Sequence, residues 1–356
     1  MPLRRLLLLL LLFASSNAHA TSPDTKALAK ALDTRLDAAQ EAGFSGAVLV
    51  ANGNDIVYTR NIGEGIDDRT RFNLASSGKM FTAVAILQLV QQGKLDLDAP
   101  IGRYLPNWPV ATVREKVTAR QLLMHTSGLG IYWGDAFNQR RGQLHTLSDY
   151  QPLLATEPKF APGTQWSYSN TGFMTLGLLV EAVSGEDFYD YIRRHVFDPA
   201  GMQDSGYFAV DGIADRVATP HRDGVAQRMP EPRGGAAGGG YSTTRDMLRF
   251  HRALTGGKLL DAKTTALLFS PVTLPEGTRA PPHGLGMLRF AVGNDVAYGH
   301  PGGAPGVGSD FRAARDSGWA MVVFGNNDDV RTMPLADELA GLVADHGGPD
   351  LRFAMP

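Results

Sequence analysis

The sequence predicts a mixed α/β (α+β) fold, in which one antiparallel sheet is flanked by the terminal helices and lies beside a mostly helical region. Strand patterns occur near both ends of the chain, and a helix- and loop-rich insertion from about residue 76 to 266 separates them. An amphipathic stretch precedes the first strands, and a second follows the last. Elements in this order pack as a sheet covered by helices, and a ligand site is expected in the cleft between the sheet and the helical region.

The N-terminal segment, residues 1–20, has the features of a secretory signal peptide. A positively charged start is followed by an apolar run at 6–13 and by a small-x-small cleavage motif at 18–20. A membrane anchor is the alternative, but the run is shorter than the roughly 20 residues that span a bilayer. We therefore expect cleavage after Ala20, a periplasmic or secreted protein, and one domain over residues 21–356.

The elements of that domain are predicted from hydrophobic periodicity and turn signals. Residues 22–42 repeat apolar side chains at helical spacing, which predicts a docking helix. Strands are expected at 46–50 and 56–59, joined by an Asn-Gly-Asn turn. Further helices are expected at 80–90, at 119–125 behind Thr118, at 172–183, and after Thr243, where Asp246 would complete a capping box. Strands at 286–291, 296–299, 311–314 and 319–324 and a helix at 334–344 complete the domain.

Composition excludes several classes of function. The chain has 356 residues, 43% of them hydrophobic, which is enough for a large core. Its formal net charge of −2 and its lack of Lys/Arg runs give no electrostatic basis for nucleic acid binding. It contains no cysteine, which excludes disulfides, thiol chemistry and a lipid anchor at the cleavage site. No metal-binding histidine pair and no stable membrane span beyond the signal are found, and no cofactor is expected.

A serine and a lysine three positions apart indicate nucleophilic chemistry. Ser76 begins an apolar helical run, and Lys79 shares its face of that helix. Serine is a poor nucleophile at neutral pH and needs a base within hydrogen-bond distance; burial makes lysine such a base by lowering its pKa. No other serine in the chain has a lysine at this spacing. A solvated surface lysine is disfavoured because the helix is apolar on most sides.

Two further motifs accompany this pair. Tyr168 is the only tyrosine followed at the second position by asparagine, which is Asn170. Its phenol is a candidate base if a nearby cation lowers its pKa from about 10. Near the end of the chain, residues 300–303 read His-Pro-Gly-Gly, which alone is weak evidence because glycine is abundant. The three motifs gain weight from their order and from the helix start at the serine.

Together these motifs resemble the signatures of the serine β-lactamase and penicillin-binding-protein superfamily. The resemblance is to the branch related to class C β-lactamases, with D-Ala-D-Ala carboxypeptidases and lactamase-like esterases. Residues 122–129, 160–164, 168–172 and 239–243 also resemble family signatures, in family order. The resemblance runs from about residue 43 to 344 and implies a β-lactamase/transpeptidase-like fold and a hydrolase that works through an acyl-enzyme without a cofactor.

The resemblance implies a role for each motif residue. Ser76 would be the nucleophile, and Lys79 and Tyr168 would transfer its proton, with the choice of general base left open between them. Asn170 would hold the lysine and contact the substrate amide. The backbone N–H groups of Ser76 and Gly303 would form the oxyanion hole.

The motif at 300–303 departs from the family pattern. Relatives usually carry Lys-Thr-Gly or His-Thr-Gly, whose hydroxyl helps to hold a substrate carboxylate. Pro301 has neither a hydroxyl nor an N–H, so recognition of a carboxylate is expected to be weakened, although His300 can supply a positive charge. Gly302 and Gly303 complete the substrate-binding strand.

The substrate is left open between esters, D-amino-acid peptides and β-lactams. A small molecule or a peptide is expected as the partner in each case. Two alternatives to a lactamase-like esterase or D-amino-acid peptidase are kept: a true β-lactamase, and a penicillin-binding or sensing protein that acylates with little turnover.

Two other features are interpreted as structural. The glycine-rich segment 234–240 contains no G-x-G-x-x-G or Walker pattern, so it is expected to be a close-packed loop and not a phosphate site. His125 is expected to be a buried residue with satisfied hydrogen bonds.

The absence of G-x-S-x-G argues against an α/β-hydrolase.

Overall fold

A computed structural model describes residues 24–209, 215–229 and 231–353, so the predicted signal peptide lies outside the described residues. The strands are β1 (Gly46–Asn52), β2 (Asp55–Ile62), β3 (Phe72–Asn73), β4 (His221–Arg222), β5 (Val225–Ala226), β6 (Tyr241–Ser242), β7 (Leu288–Val292), β8 (Asp295–Ala304), β9 (Val307–Ala314) and β10 (Trp319–Gly325). The helices are α1 (Thr25–Glu41), α2 (Lys79–Gln91), α3 (Ala111–Lys116), α4 (Ala119–Leu123), α5 (Asp135–Arg140), α6 (Leu147–Leu154), α7 (Asn170–Ser184), α8 (Phe188–Ile192), α9 (Asp198–Ala200), α10 (Thr244–Thr255), α11 (Ala262–Leu268) and α12 (Thr332–Asp345).

The main sheet joins the two ends of the chain, as the sequence predicts. Its strand order is β2-β1-β10-β9-β8-β7, and all neighbours are antiparallel. The N-terminal β1 pairs along its whole length with the C-terminal β10, from Gly46 opposite Gly325 to Asn52 opposite Trp319. The long insertion between β2 and β7 is mostly helical. The predicted mixed fold with an antiparallel sheet is therefore confirmed.

Both faces of the sheet are buried, and each belongs to a different core. Side chains alternate along β1, so Val48 and Val50 pack with α1 and α12, whereas Leu49 packs toward the helical region. The stripe predicted for α1 is buried on this first core: Leu28, Leu32, Leu36 and Ala39. The terminal helices thus cover one face of the sheet, and the helical insertion covers the other.

Helix α2 is the centre of the larger core. Residues 79–89 are all buried, which is typical of a helix that is apolar on every side and surrounded by other elements. Phe81 packs edge-to-face against Phe197 and Phe250, with ring centroids 5.0 Å apart in both pairs. Gly93, with φ +69°, follows the end of α2 at Gln91. Among the described residues, no helix is long and apolar enough to cross a bilayer.

Strand β8 extends beyond the predicted 296–299 and reaches Ala304. Its partner β7 ends opposite Gly299, whereas β9 continues alongside it to the pair Ala304–Val307. From His300 onward, β8 therefore has a single strand neighbour. Proline is tolerated in such a stretch because the second neighbour, which would require a ladder N–H, is missing.

The capping box predicted at α10 forms only in part. The Thr243 hydroxyl accepts a hydrogen bond from the Asp246 N–H at 3.1 Å. The Asp246 carboxylate does not return to the cap; it accepts from the Asp204 N–H at 2.8 Å and from the Ser205 hydroxyl at 2.8 Å, and it pairs with Arg249. The Asp246 carboxylate, which the local pattern predicted to cap the helix, therefore binds residues outside the helix start instead.

Candidate active site

Ser76 lies in a tight turn just before α2. Residues 75–78 form one turn of 3₁₀ helix, and Ala75 has φ +40°, a left-handed backbone that is unfavourable for a residue with a side chain. The turn is fixed on both sides: the Ala75 N–H donates to Asn73 Oδ1 at 2.8 Å, and its carbonyl accepts from the Gly239 N–H at 3.1 Å. Ser76 is thereby held half-exposed at the start of a buried helix.

The glycine-rich loop packs directly against this turn. A Cβ at Gly238 would lie 2.1 Å from the Ala75 carbonyl oxygen, and Gly238 has φ +136°. A Cβ at Gly234 would lie 2.4 Å from the Gly239 backbone. The space admits only glycine at these positions, so the predicted close-packed loop is confirmed.

Lys79 is fully buried and has three polar neighbours. Its Nζ lies 3.1 Å from Ser76 Oγ and 2.8 Å from Asn170 Oδ1, and it also contacts the Ala237 carbonyl oxygen. Burial lowers the pKa of Lys79 well below its usual range. A neutral amine has two N–H donors and one lone pair. Because Asn170 Oδ1 and the Ala237 carbonyl can only accept, the lone pair is left to face the Ser76 hydroxyl.

Tyr168 completes the group around Ser76. Its Oη lies 2.9 Å from Ser76 Oγ. Burial raises the pKa of Tyr168 to about 12, and the hydrogen bond with Ser76 works in the opposite direction. The condition under which Tyr168 would be a base, a pKa lowered by a nearby cation, is therefore not met. The phenol therefore keeps its proton at neutral pH and donates a hydrogen bond to Ser76 Oγ, which leaves the Ser76 O–H free to donate to Lys79 when the amine is neutral.

His125 supports the Tyr168 segment. Its Nδ1 accepts a hydrogen bond from the Ser169 N–H at 3.1 Å, and its carbonyl accepts from the Ser167 N–H at 2.9 Å. Its ring lies 4.5 Å from the Tyr168 ring. Burial, with smaller contributions from His283, Lys79 and His300, lowers the pKa of His125 well below its usual range, so the ring is neutral. The predicted structural role agrees with these contacts.

Strand β8 closes the site from the opposite side. The Ser77 hydroxyl donates to the His300 carbonyl oxygen at 2.7 Å, which attaches the strand to the Ser76 turn. A Cβ at Gly302 would lie 2.8 Å from the Ser76 nitrogen, so only glycine allows this approach. Burial, with a smaller contribution from Lys79, lowers the pKa of His300 to about 3. His300 is therefore neutral at pH 7. The interpretation that it supplies a positive charge is wrong.

Two cavities open on either side of Ser76, and both are also bordered by Gly303 and Ala304. We call the first, of about 440 Å³, the strand-side cavity; its lining includes Tyr168, His300, Pro301, Asp328, Arg331 and Met333. We call the second, of about 470 Å³, the aromatic cavity; its lining includes Tyr132, Trp133, Phe137, Tyr150, Asn170 and Glu231. Ser76 is thus accessible to a substrate that extends in two directions.

The predicted residues lie together in the structure, and the site also contains residues that the sequence did not indicate. Ser76, Lys79, Tyr168 and Asn170 form one hydrogen-bonded group, and residues 300–303 border the same cavities. The Ala237 carbonyl, Glu231 and Arg331 were not predicted. Arg331 lies directly before α12 and outside every motif. The other two belong to a loop whose path no motif reveals.

Comparisons with known proteins agree with this arrangement. A family model described as Beta-lactamase matches residues 28–345. The chain is 32% identical over 346 residues to esterase EstB of Burkholderia gladioli, covering 81% of this chain and 86% of the esterase. It is 30% identical over 315 residues to penicillin-binding protein 4* of Bacillus subtilis, covering 80% of this chain and 69% of that protein. A further penicillin-binding relative from Bacillus subtilis is matched at 30% identity over 60% of its length.

Solved structures give the same result. A penicillin-binding protein from Bacillus halodurans has a TM-score of 0.75 and 32% identity, covering 88% of this chain and 99% of that one. A D-stereospecific amidohydrolase from Streptomyces sp. has a TM-score of 0.73 and 28% identity, covering 87% of this chain and 97% of that one. With a family model that matches most of its length, the chain belongs to the β-lactamase family of hydrolases.

Proposed function

We propose that the protein is a serine hydrolase that forms a covalent acyl-enzyme on Ser76. One observation carries the proposal: Ser76 Oγ has a proton acceptor and a proton donor within hydrogen-bond distance. Lys79 Nζ, at 3.1 Å, has its pKa lowered by burial, and Tyr168 Oη, at 2.9 Å, keeps its proton. This protonation pattern favours Lys79 as the general base over Tyr168, the choice that the sequence left open.

In the first step, Ser76 Oγ attacks a carbonyl carbon and its proton passes to the Lys79 lone pair. The new ammonium is held by two acceptors already in place, Asn170 Oδ1 and the Ala237 carbonyl. The negative charge that develops on the carbonyl oxygen would be stabilised by the N–H groups of Ser76 and Gly303, two residues that line both cavities.

In the second step, the bond to the leaving group breaks and that group takes a proton. Tyr168 donates it, and the proton that Lys79 took from Ser76 replaces the one that Tyr168 has lost. Since Tyr168 lines the strand-side cavity and not the aromatic cavity, we assign the leaving group to the strand side and the acyl group to the aromatic side. A water molecule, deprotonated by the neutral Lys79, then releases the acyl group and restores Ser76.

We propose esters and amides of D-amino acids as substrates, in preference to β-lactams and D-Ala-D-Ala peptides. Pro301 has no hydroxyl, and His300 is neutral, so the β8 strand has lost two means of binding a carboxylate. Arg331 is the cationic residue in the described lining of the strand-side cavity. The relatives include a protein named as an esterase and one named as a D-stereospecific amidohydrolase.

The test is a substrate panel on the purified protein: a short-chain nitrophenyl ester, a D-amino-acid amide and a chromogenic cephalosporin. We expect turnover of the ester or the amide, a mass increase equal to the acyl group in quenched samples, and neither in Ser76→Ala. Acylation by the cephalosporin with little release would support a penicillin-binding or sensing protein instead. Efficient cephalosporin turnover would indicate a true β-lactamase.

Export is part of the same proposal and rests on residues 1–20. Expression in a Gram-negative host, followed by cell fractionation and N-terminal sequencing, should give a periplasmic protein that begins at Thr21. A full-length protein retained in the cytoplasm would contradict the predicted cleavage.

A further inference from the structure

The aromatic cavity is lined by a cluster of rings. Tyr132 lies at its centre, with ring centroids 6.0 Å from Trp133, 5.6 Å from Phe137 and 5.5 Å from Tyr150. All four border the cavity beside Ser76, and Trp133 is 52% exposed toward the opening. Aromatic faces carry negative charge, so a cavity built of them favours apolar groups and cations over anions.

A single carboxylate, that of Glu231, also lines this cavity. Tyr132 Oη donates to Glu231 Oε1 at 3.4 Å. Arg233, two residues later, is directed elsewhere: its guanidinium lies 3.5 Å from the Tyr189 ring centroid, and its Nε donates to the Tyr207 carbonyl. No lysine or arginine in the described part of the chain forms an ion pair with Glu231. Burial raises the pKa of Glu231, and hydrogen bonds with its own backbone, Trp133 and Tyr132 and the charge of Arg141 offset this rise only in part.

A half-buried carboxylate surrounded by ring faces is the arrangement that binds ammonium groups. The carboxylate supplies the counter-charge, and the rings contact the N-methyl or N–H groups through their negative faces. A cationic ligand would offset the desolvation of Glu231. A neutral ligand would leave that cost in place.

We propose that the aromatic cavity binds a cationic ammonium group on the acyl part of the substrate, with Glu231 as its counter-ion. This inference rests on the proposed function, since acylation of Ser76 is what brings the acyl part to this cavity. The assignment of side follows from Tyr168, which serves the leaving group from the strand-side cavity. Glu231 is thus a specificity-determining residue and takes no part in proton transfer.

Two nitrophenyl esters that differ only in charge provide the test. The first carries a 4-(trimethylammonio)butanoyl group, and the second its neutral isostere, 5,5-dimethylhexanoyl. Each kcat/KM is divided by the rate of uncatalysed hydrolysis, because the cationic ester is intrinsically more reactive. We expect the wild type to prefer the cationic ester by about tenfold or more. A normalised ratio near one in the wild type would overturn the inference.

The variants locate the preference. Glu231→Gln should bring the ratio to near one by lowering kcat/KM for the cationic ester, with the neutral ester changed by less than about twofold. Glu157→Gln removes the same charge from an exposed residue outside both cavities and should leave the ratio unchanged. If Glu231→Gln does not fold, Trp133→Leu replaces an exposed ring and should lower the ratio by about threefold. An unchanged ratio in a folded Glu231→Gln would contradict the proposal.

A binding measurement separates this inference from the proposed function. Ser76→Ala cannot be acylated, so ligand-observed NMR on this variant reports occupancy alone. The probes are the amides of the same two acids. The cationic amide should bind, and addition of Glu231→Gln should weaken its binding by about tenfold. If neither ester is hydrolysed but the cationic amide binds in this way, the proposed function fails and the ammonium site stands. Equal binding of both amides would overturn the ammonium site.

Discussion

The two walls of the cleft differ in the polar side chains that they contain. The helical wall, formed by the 75–78 turn, α2 and the start of α7, buries a lysine, an asparagine and a phenol, each with a hydrogen-bond partner. The strand wall, the 300–304 stretch of β8, has a neutral histidine, a proline and two glycines. The side chains of the helical wall can transfer a proton. The strand wall contributes backbone groups and room for the substrate. Substitutions in the first should lower the rate for every substrate, whereas substitutions in the second should change which substrate is preferred.

The largest effect is expected at Ser76. Ser76→Ala should lower kcat/KM by about 10⁴-fold or more for every ester or amide that is turned over, and abolish labelling by a fluorophosphonate probe. Ser77→Ala is the matched control. It removes hydrogen bonds to the His300 carbonyl and to Ser309, and should cost stability, about 1–3 kcal/mol, with labelling retained. Labelling of Ser76→Ala at the wild-type level would show that Ser76 is not the nucleophile.

The next effect tests whether the helical wall works as a unit. Lys79→Ala and Tyr168→Phe should each lower kcat/KM by about 10²- to 10⁴-fold, and the double variant should be little worse than either single variant. Both groups act on the same Ser76 proton, so loss of one interrupts the transfer. If the two losses multiply in the double variant, the two residues act independently.

The pH profile gives a third test. A lysine of ordinary pKa would make kcat/KM rise about tenfold per pH unit up to about pH 10. Because burial lowers the pKa of Lys79 and raises that of Tyr168, the pH range in which a neutral lysine and a protonated phenol coexist extends to lower pH. We expect kcat/KM to level off well below pH 10 and to fall toward acid, as Lys79 gains a proton. A rise that continues to about pH 10 would show that Lys79 titrates at its ordinary pKa.

The smallest effect is expected on the strand wall. Pro301→Thr restores a hydroxyl and should shift the ratio of kcat/KM toward carboxylate-bearing substrates by about ten- to a hundredfold, with little change for neutral esters. The control is thermal unfolding of the variant, since residue 301 has one strand neighbour and tolerates both side chains. An unchanged ratio in a folded variant would assign carboxylate recognition to another group, with Arg331 the first candidate.

Elements with strong periodicity were predicted well, and the reason is local. The α1 stripe and the apolar α2 carry their burial pattern within single windows of sequence. The capping box at α10 was predicted only in part, because the Asp246 carboxylate is bound by Asp204 and Ser205, more than 40 residues away. The extension of β8 to Ala304 was missed because Pro and Gly are strand breakers in isolation, and only the partner β9 stabilises them there.

In the candidate site, too, features set by local sequence were predicted and features set by distant segments were not. The spacing of Ser76 and Lys79 is contained in one helical turn and predicted a contact that the structure places at 3.1 Å. The charge state of His300 was mispredicted, because burial depends on neighbours from distant segments. The Ala237 carbonyl on Lys79 is a backbone group, so no residue type indicates it. The Glu231 carboxylate reaches the site through a loop that carries no recognisable motif.

The hydrogen bond from Ser77 to the His300 carbonyl joins residues 223 positions apart, and β1 pairs with β10 over a still longer separation. Contacts of such long range form late in folding, because the entropy of closing the intervening loop has to be overcome first. The Ser76 helix can assemble early, but the strand that faces it exists only after nearly the whole chain has been synthesised. An incomplete chain would therefore hold the reactive serine without its opposing wall, and acyl-transfer competence would arise together with the final closure of the sheet.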